Sequence, residues 1–98
     1  DERATEDDIA AEAALVREAL AAGAAGVTTS RSLLHLDTSG ALVPGTFADE
    51  AELLAMAREL SEAGHGVFEM TIRGVSGFDA AGPPSEIKWM RRIAKATG

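Results

Sequence analysis

Cysteine is missing from this chain of 98 residues, and basic residues and long apolar runs are scarce. Without cysteine there is no disulfide framework, no thiolate metal site and no cysteine nucleophile, which fits a reducing compartment. The 16 acidic and 9 basic side chains give a net charge of -7, which argues against a nucleic-acid or anionic-membrane surface. The apolar runs are far shorter than the roughly 20 residues of a membrane span, and the acidic start Asp1-Glu2 is unlike a signal peptide. We therefore expect a cytoplasmic protein that binds neither nucleic acid nor membranes.

Three segments carry apolar residues at the spacing of an amphipathic helix. The first follows a capping-box-like pair, Thr5 and Asp8, which is a typical helix start. The third follows the breaker Gly82-Pro83-Pro84, so Ser85 is its expected N-cap. The sequence thus predicts three helices, with the limits Thr5 to Gly23, Asp49 to Gly64, and Ser85 to Gly98.

Two short β-prone runs lie between these helices, Val27–Ser30 and Gly66–Thr71. A similar glycine-containing joint precedes each run, so one β/α unit is repeated. Strands joined by a helix must be parallel with a right-handed crossover. The predicted fold class is therefore α/β, an α-β-α-β-α segment with two parallel strands.

Two parallel strands with three helices leave both sheet edges unpaired and provide little core. We therefore expect residues 1–98 to be a single partial α/β unit, a fragment of a (β/α)8 TIM-type barrel. The alternative is a small self-contained domain that pairs its edges in an oligomer. In either case we expect the isolated chain to oligomerise or to join the rest of the barrel.

The connection from Ser30 to Asp49 is longer than usual, and long connections in compact domains are commonly functional. Two apolar arms, Leu33–Leu36 and Ala41–Pro44, flank the turn-forming stretch Asp37–Gly40. This pattern predicts a β-hairpin in the first βα loop, above the sheet. The loop from Arg73 to Gly82 contains three glycines and is expected to be mobile.

Three segments together resemble a known enzyme family. They are Thr29-Ser30-Arg31-Ser32-Leu33-Leu34-His35, Val43-Pro44-Gly45-Thr46-Phe47-Ala48 and Glu52-Leu53-Leu54-Ala55-Met56-Ala57. The chain resembles, from about Thr5 to Gly98, the D-aminoacylase (N-acyl-D-amino-acid deacylase) branch of the amidohydrolase superfamily. The resemblance implies part of a (β/α)8 barrel that hydrolyses the non-peptide amide bond of a small N-acylated amino acid by a metal-activated water.

The resemblance also implies zinc or a similar divalent metal for the full-length enzyme, held by residues that this chain lacks. The family takes metal from a His-x-His pair, which is absent here, and from a histidine in a strand-end Thr-His-Ile-Arg. The corresponding stretch is Met70-Thr71-Ile72-Arg73, and a threonine hydroxyl is a poor zinc ligand. We therefore expect no metal ligand and no catalytic residue in this chain.

Side chains that follow parallel strands collect at one edge of the sheet, where ligands bind. Arg31 and Arg73 could clamp a substrate carboxylate there, although both could equally be surface arginines paired with acidic groups. His35 could contact substrate or simply pack in the hairpin. The candidate substrate-binding residues are Ser30, Arg31, His35, Thr71 and Arg73.

Three other side chains have a structural interpretation. His65 lies in a helix-to-strand turn at the opposite end of the sheet from His35, so the two imidazoles cannot share a metal. Glu69 lies mid-strand, where we favour a structural network, with Arg73 as one candidate partner, over catalysis. Trp89 is expected to pack between helices.

Two functions follow. The first is a part of a metal-dependent amidohydrolase that supplies substrate-positioning groups and is inactive by itself. The second is a non-catalytic α/β interaction module that oligomerises through its open strand edges.

Overall fold

The computed structural model describes residues 3–74 and 82–98, and the chain has the predicted α-β-α-β-α order. Two parallel strands form one sheet, and three helices accompany them. Both β/α connections therefore have the form that the sequence indicates. The elements are α1 (Glu6–Ala21), β1 (Gly26–Ser30), α2 (Glu50–Ala63), β2 (Val67–Thr71) and α3 (Gly82–Thr97).

The predicted capping box at the start of α1 is confirmed. The Thr5 hydroxyl accepts a hydrogen bond from the Asp8 backbone N–H at 3.1 Å, and the Asp8 carboxylate accepts one from the Thr5 N–H at 2.8 Å. The two bonds satisfy donors that a helix start would otherwise leave unpaired. The bond that the Thr5 backbone N–H donates to the Asp8 carboxylate, together with the Thr5 side chain, holds the pKa of Asp8 below its usual value.

Helix α2 begins and ends at the predicted residues. Asp49 is the N-cap, with extended backbone, but its side chain makes no capping bond and binds Arg3 instead. Gly64 ends the helix with φ +75°, and its N–H donates to the carbonyls of Leu60 and Ser61. A side chain at this left-handed position would be strained, which explains why the helix ends at a glycine.

The predicted start of α3 is wrong. We expected Ser85 as N-cap, but the helix begins at Gly82, so Ser85 lies within its first turn. Proline is tolerated here because the first N–H groups of a helix have no intrahelical partner, so Pro83 and Pro84 remove no bond. The loop before α3 is predicted to be mobile. Residues 75–81 of this loop lie outside the described ranges.

The strands pair in parallel, as predicted, with Gly26 beside Val67 and Ser30 beside Thr71. One backbone hydrogen bond extends the strand pairing at each end. Val67 N–H donates to Ala25 O at 3.1 Å, and Arg31 N–H donates to Thr71 O at 2.9 Å. A Cβ atom at Gly26 would lie 2.0 Å from the Val67 carbonyl oxygen. Glycine is therefore required where β1 begins.

The core lies between the helices and one face of the sheet. Helix α2 packs against α1, α3 and both strands, so it is the central element. The main core cluster consists of Leu53, Ala57, Trp89 and Ile93, with Phe68 and Met70 of β2 packed against it. The expected packing role of Trp89 is confirmed.

Ion pairs also join the helices. Arg17 of α1 makes a two-bond contact with Glu59 of α2, and Arg92 of α3 makes one with Glu50. The described helices include none that is both long and apolar enough to cross a bilayer.

Candidate functional site

One face of the sheet is not covered by the helices, and we call it the open face. Because side chains alternate along a strand, Gly26, Thr28 and Ser30 share this face with Val67, Glu69 and Thr71. Thr28 and Glu69 lie side by side in the register, and both are exposed. The structural network predicted around Glu69 stays a prediction.

Ser30 and Thr71 meet at the carboxyl edge of the open face. They are register partners, and neighbouring strands are about 4.8 Å apart, so the two hydroxyls can contact one ligand. The Ser30 hydroxyl accepts a bond from the Ser32 N–H at 3.3 Å. The structure therefore brings two of the five candidate residues together as one pair.

Arg31 follows Ser30 directly, but its side chain reaches into the fold. Its Nε lies 2.9 Å from Glu86 of α3, and its Nη1 donates to the Ala48 carbonyl oxygen. The guanidinium also lies 5.6 Å from the centroid of the Trp89 ring, a cation–π distance. These contacts attach the end of β1 to α3, and substrate binding by Arg31 stays a prediction.

Glu86 is the buried acceptor of this cluster, and it was not predicted from the sequence. Its residue exposure is 2%, and it accepts bonds from Arg31 and from the Trp89 Nε1–H at 2.7 Å. Both donors are needed, since a buried carboxylate without them is costly. The sequence carries one signal, because Glu86 lies on the stripe of α3 that holds Trp89 and Ile93 inward.

The predicted hairpin is present as one antiparallel bridge, Leu36 to Leu42. Asp37 holds its turn: one carboxylate oxygen accepts bonds from the Ser39 N–H, the Ser39 hydroxyl and the Ala41 N–H. These bonds, above all that from the Ser39 hydroxyl, keep the pKa of Asp37 below its usual value. The hairpin is thus ordered by a polar turn.

His35 lies at the start of the hairpin and is exposed. Its carbonyl accepts a bond from the Val43 N–H at 3.3 Å, which fixes its backbone. Apolar side chains next to it in the chain are exposed as well: Leu33, Leu34 and Leu36. The base of the loop is better buried, at Ser32 and Thr46. His35 therefore stands at the surface beside an apolar patch.

Arg73 lies just beyond β2 and is half-buried. It follows Thr71 by two residues, so it is near the same carboxyl edge as Ser30. The edge therefore carries two hydroxyls, with Arg73 two residues beyond Thr71 in the chain, and hydroxyl donors can bind a carboxylate or an amide oxygen.

Comparisons with known proteins found no match. The chain matches no protein-family model, no curated protein and no solved structure. The functional proposal therefore rests on the geometry of the residues and on the resemblance of the three segments.

The two histidines lie at different ends of the sheet, as predicted. His65 is exposed in the turn before β2, where its Nδ1 lies 3.1 Å from the Ala63 carbonyl oxygen, whereas His35 follows β1. Within residues 3–74 and 82–98, no three histidine, aspartate or glutamate side chains form a group that could hold a metal ion.

Proposed function

We propose that this chain is part of a (β/α)8 barrel of the amidohydrolase type and positions an N-acylated D-amino acid at the carboxyl edge of its strands. The observation that carries the proposal is the open face with Ser30 and Thr71 side by side at its carboxyl edge. In a parallel barrel this face lines the interior, and ligands bind at this end. The resemblance in residues 29–35, 43–48 and 52–57 supplies the chemistry.

The ratio of helices to strands supports a larger sheet. In successive right-handed β-α-β units, each helix covers the joint between two neighbouring strands. Three helices with α2 in the middle therefore correspond to four strands, one beyond each open edge. If a second copy of this chain paired its β1 with β2, the α1 helix of that copy would take the position that α3 occupies here.

The proposal assigns a role to each edge residue. Ser30 and Thr71 donate hydrogen bonds to the acyl or carboxylate oxygens, Arg73 pairs with the carboxylate, and His35 contacts the substrate from the hairpin. Arg31 serves the site by fixing β1, because two of its nitrogens bind Glu86 and Ala48. The metal, zinc or a similar divalent ion, belongs to other parts of the barrel in this proposal.

The test is an assay of the complete polypeptide that contains this segment, supplied with zinc and N-acetyl amino acids of both configurations. We expect hydrolysis of the D form, and we expect Ser30→Ala and Thr71→Val to raise KM severalfold. Lys88→Ala, an exposed position on α3, is the control and should leave KM unchanged. A folded, zinc-loaded polypeptide that hydrolyses no N-acyl amino acid would contradict the proposal.

A second candidate is the non-catalytic module that associates through its strand edges. The open strand edges favour this candidate. Ala25 and Arg31 bond to β2, so the residues that alternate with them along β1, including Thr28, direct their backbone N–H and C=O groups away from β2. Val67 on the open face is also 66% exposed. Both candidates predict association of the isolated chain, so the assay of the complete polypeptide separates them: hydrolysis of an N-acyl-D-amino acid would contradict the module.

A further inference from the structure

A cleft of about 410 Å³ lies between α1, the first turn of α2 and the base of the hairpin. Carboxylates from both helices face it, Asp8 and Glu12 from α1 and Glu52 from α2. Pro44 and Gly45 form its hairpin wall and carry no charge. The contact between the two helices is therefore acidic on both sides here.

Glu12 has an unusual environment at this contact. Its Oε2 atom is shielded from solvent, and no donor within the described residues bonds to it. A shielded carboxylate oxygen without a donor is costly. Glu52 lines the same cleft as Glu12 and the two side chains interact, so a proton on Glu52 provides a donor to the Glu12 carboxyl.

The charges around Glu52 favour that proton. Burial, the Glu12 side chain, and the charges of Glu12, Asp49 and Asp8 raise the pKa of Glu52 to about 7. Arg3 is the one cation on the cleft wall among the described residues, and it lies 2.6 Å from Asp49. Glu50, in the same turn, pairs with Arg92 of α3 and so belongs to the other side of α2.

We propose that Glu52 is a proton-operated latch between α1 and α2: when protonated it donates to Glu12 and holds the amino-terminal half of α1 against α2, and when ionised it repels α1. The effect is local, because two contacts hold the other half of α1. Arg17 binds Glu59 through two bonds, and Leu20 is buried.

The direction of the pH effect follows from linkage. A carboxyl whose pKa is higher in the folded than in the unfolded protein binds more protons when folded, so stability falls as pH rises. The loss begins near the usual value of 4.5 and is complete above pH 7. Opening of the latch is therefore expected between slightly acidic and neutral pH.

Amide hydrogen exchange tests the latch in the protein itself. We expect the protection factors of amides in residues 8–14 to fall by about tenfold from pH 6 to pH 8, a discounted figure because Glu52 is partly exposed. In Glu52→Gln the amide donates at every pH, so the fall should disappear. Glu18→Gln, an exposed position on α1, is the control and should keep the wild-type fall.

A direct titration decides the matter even if a variant fails to fold. The side-chain carboxyl carbon of Glu52, followed by NMR in the wild-type protein, should titrate with a midpoint near 7. A midpoint near 4.5, or an equal pH dependence of protection in wild type and Glu52→Gln, would overturn the proposal.

Discussion

Arg31 at the end of β1 and Glu86 in α3 form an ion pair in which both side chains are nearly buried, with 13% and 3% exposure. The Nε of Arg31 is 2.9 Å from Oε2 of Glu86, the oxygen that also accepts the Trp89 N–H. The pair joins residues 55 positions apart in the chain. It therefore fixes the carboxyl end of the sheet to the helix layer.

Removal of Glu86 should destabilise the protein strongly. Glu86→Ala leaves the Arg31 guanidinium and the Trp89 N–H buried without their acceptor, and breaking a buried pair in this way costs about 3–5 kcal/mol. Urea unfolding measures the loss. Replacing both partners, as in Arg31→Met with Glu86→Leu, should cost less than Glu86→Ala alone because no unpaired charge remains.

The matched control is Glu50→Ala, which breaks the Glu50–Arg92 pair. Its two side chains are 39% and 60% exposed, so water replaces the lost bonds and the change in stability should be far smaller. Equal losses for Glu86→Ala and Glu50→Ala would show that burial does not decide the strength of these pairs.

Leu53 anchors the core, since its exposure is 1%. Leu53→Ala should lower the free energy of unfolding by about 2–5 kcal/mol, because the methyl groups lose their burial and leave a cavity. Chemical denaturation checks the value. Leu15→Ala serves as the comparison: Leu15 is 65% exposed, so its truncation should change stability little.

The hairpin should depend on Asp37 and on pH. Asp37→Ala removes the acceptor for Ser39 and Ala41, so the Ala41 amide should exchange faster with solvent, whereas Thr38→Ala should leave it unchanged. Hydrogen exchange monitored by NMR provides the readout. Unchanged Ala41 exchange in Asp37→Ala would mean that the bridge alone orders the turn.

The pH dependence of the hairpin follows from the lowered pKa of Asp37. A depressed carboxyl pKa stabilises the folded form above its usual value of 3.8, and this contribution is lost as pH falls through the lower folded value. We therefore expect Ala41 protection to be constant at neutral pH and to fall only in strong acid. The contribution of Asp37 to stability is thus lost as pH falls, whereas the contribution of Glu52 is lost as pH rises.

The contribution of the α1 capping box to the stability of the protein should be measurable separately from that of the core. Thr5→Ala removes the hydroxyl that accepts the Asp8 N–H, at a cost of about 1 kcal/mol. Thr5→Ser retains the acceptor and should cost much less. Thermal unfolding followed by circular dichroism compares the two, and an equal shift for both would show that the cap does not contribute.

Local signals in the sequence predicted most of the fold, because they act within a few residues. Thr5 with Asp8 marks a helix start, and Gly64 a helix end, by bonds that span one helical turn. The prediction of Ser85 as an N-cap is wrong because Pro83 and Pro84, although typical helix breakers, fit the first turn of a helix.

The candidate site was harder to predict because it depends on contacts between distant residues. The parallel arrangement predicts that Ser30 and Thr71 lie at the same edge of the sheet, but their position as direct register partners comes from the structure. The direction of the Arg31 side chain was not predictable, since its partner Glu86 lies far along the chain. The contact between Glu12 and Glu52 likewise depends on how α1 docks on α2.

The central position of α2 has a consequence for cooperativity. Helix α2 packs on each of the other four elements. The free energy of its contact with each of them is therefore lost if α2 unfolds. Local opening at the ends of the chain can leave α2 folded, but loss of α2 removes the support of both strands at once. Its amides should therefore exchange only through global unfolding, and the other elements through smaller openings.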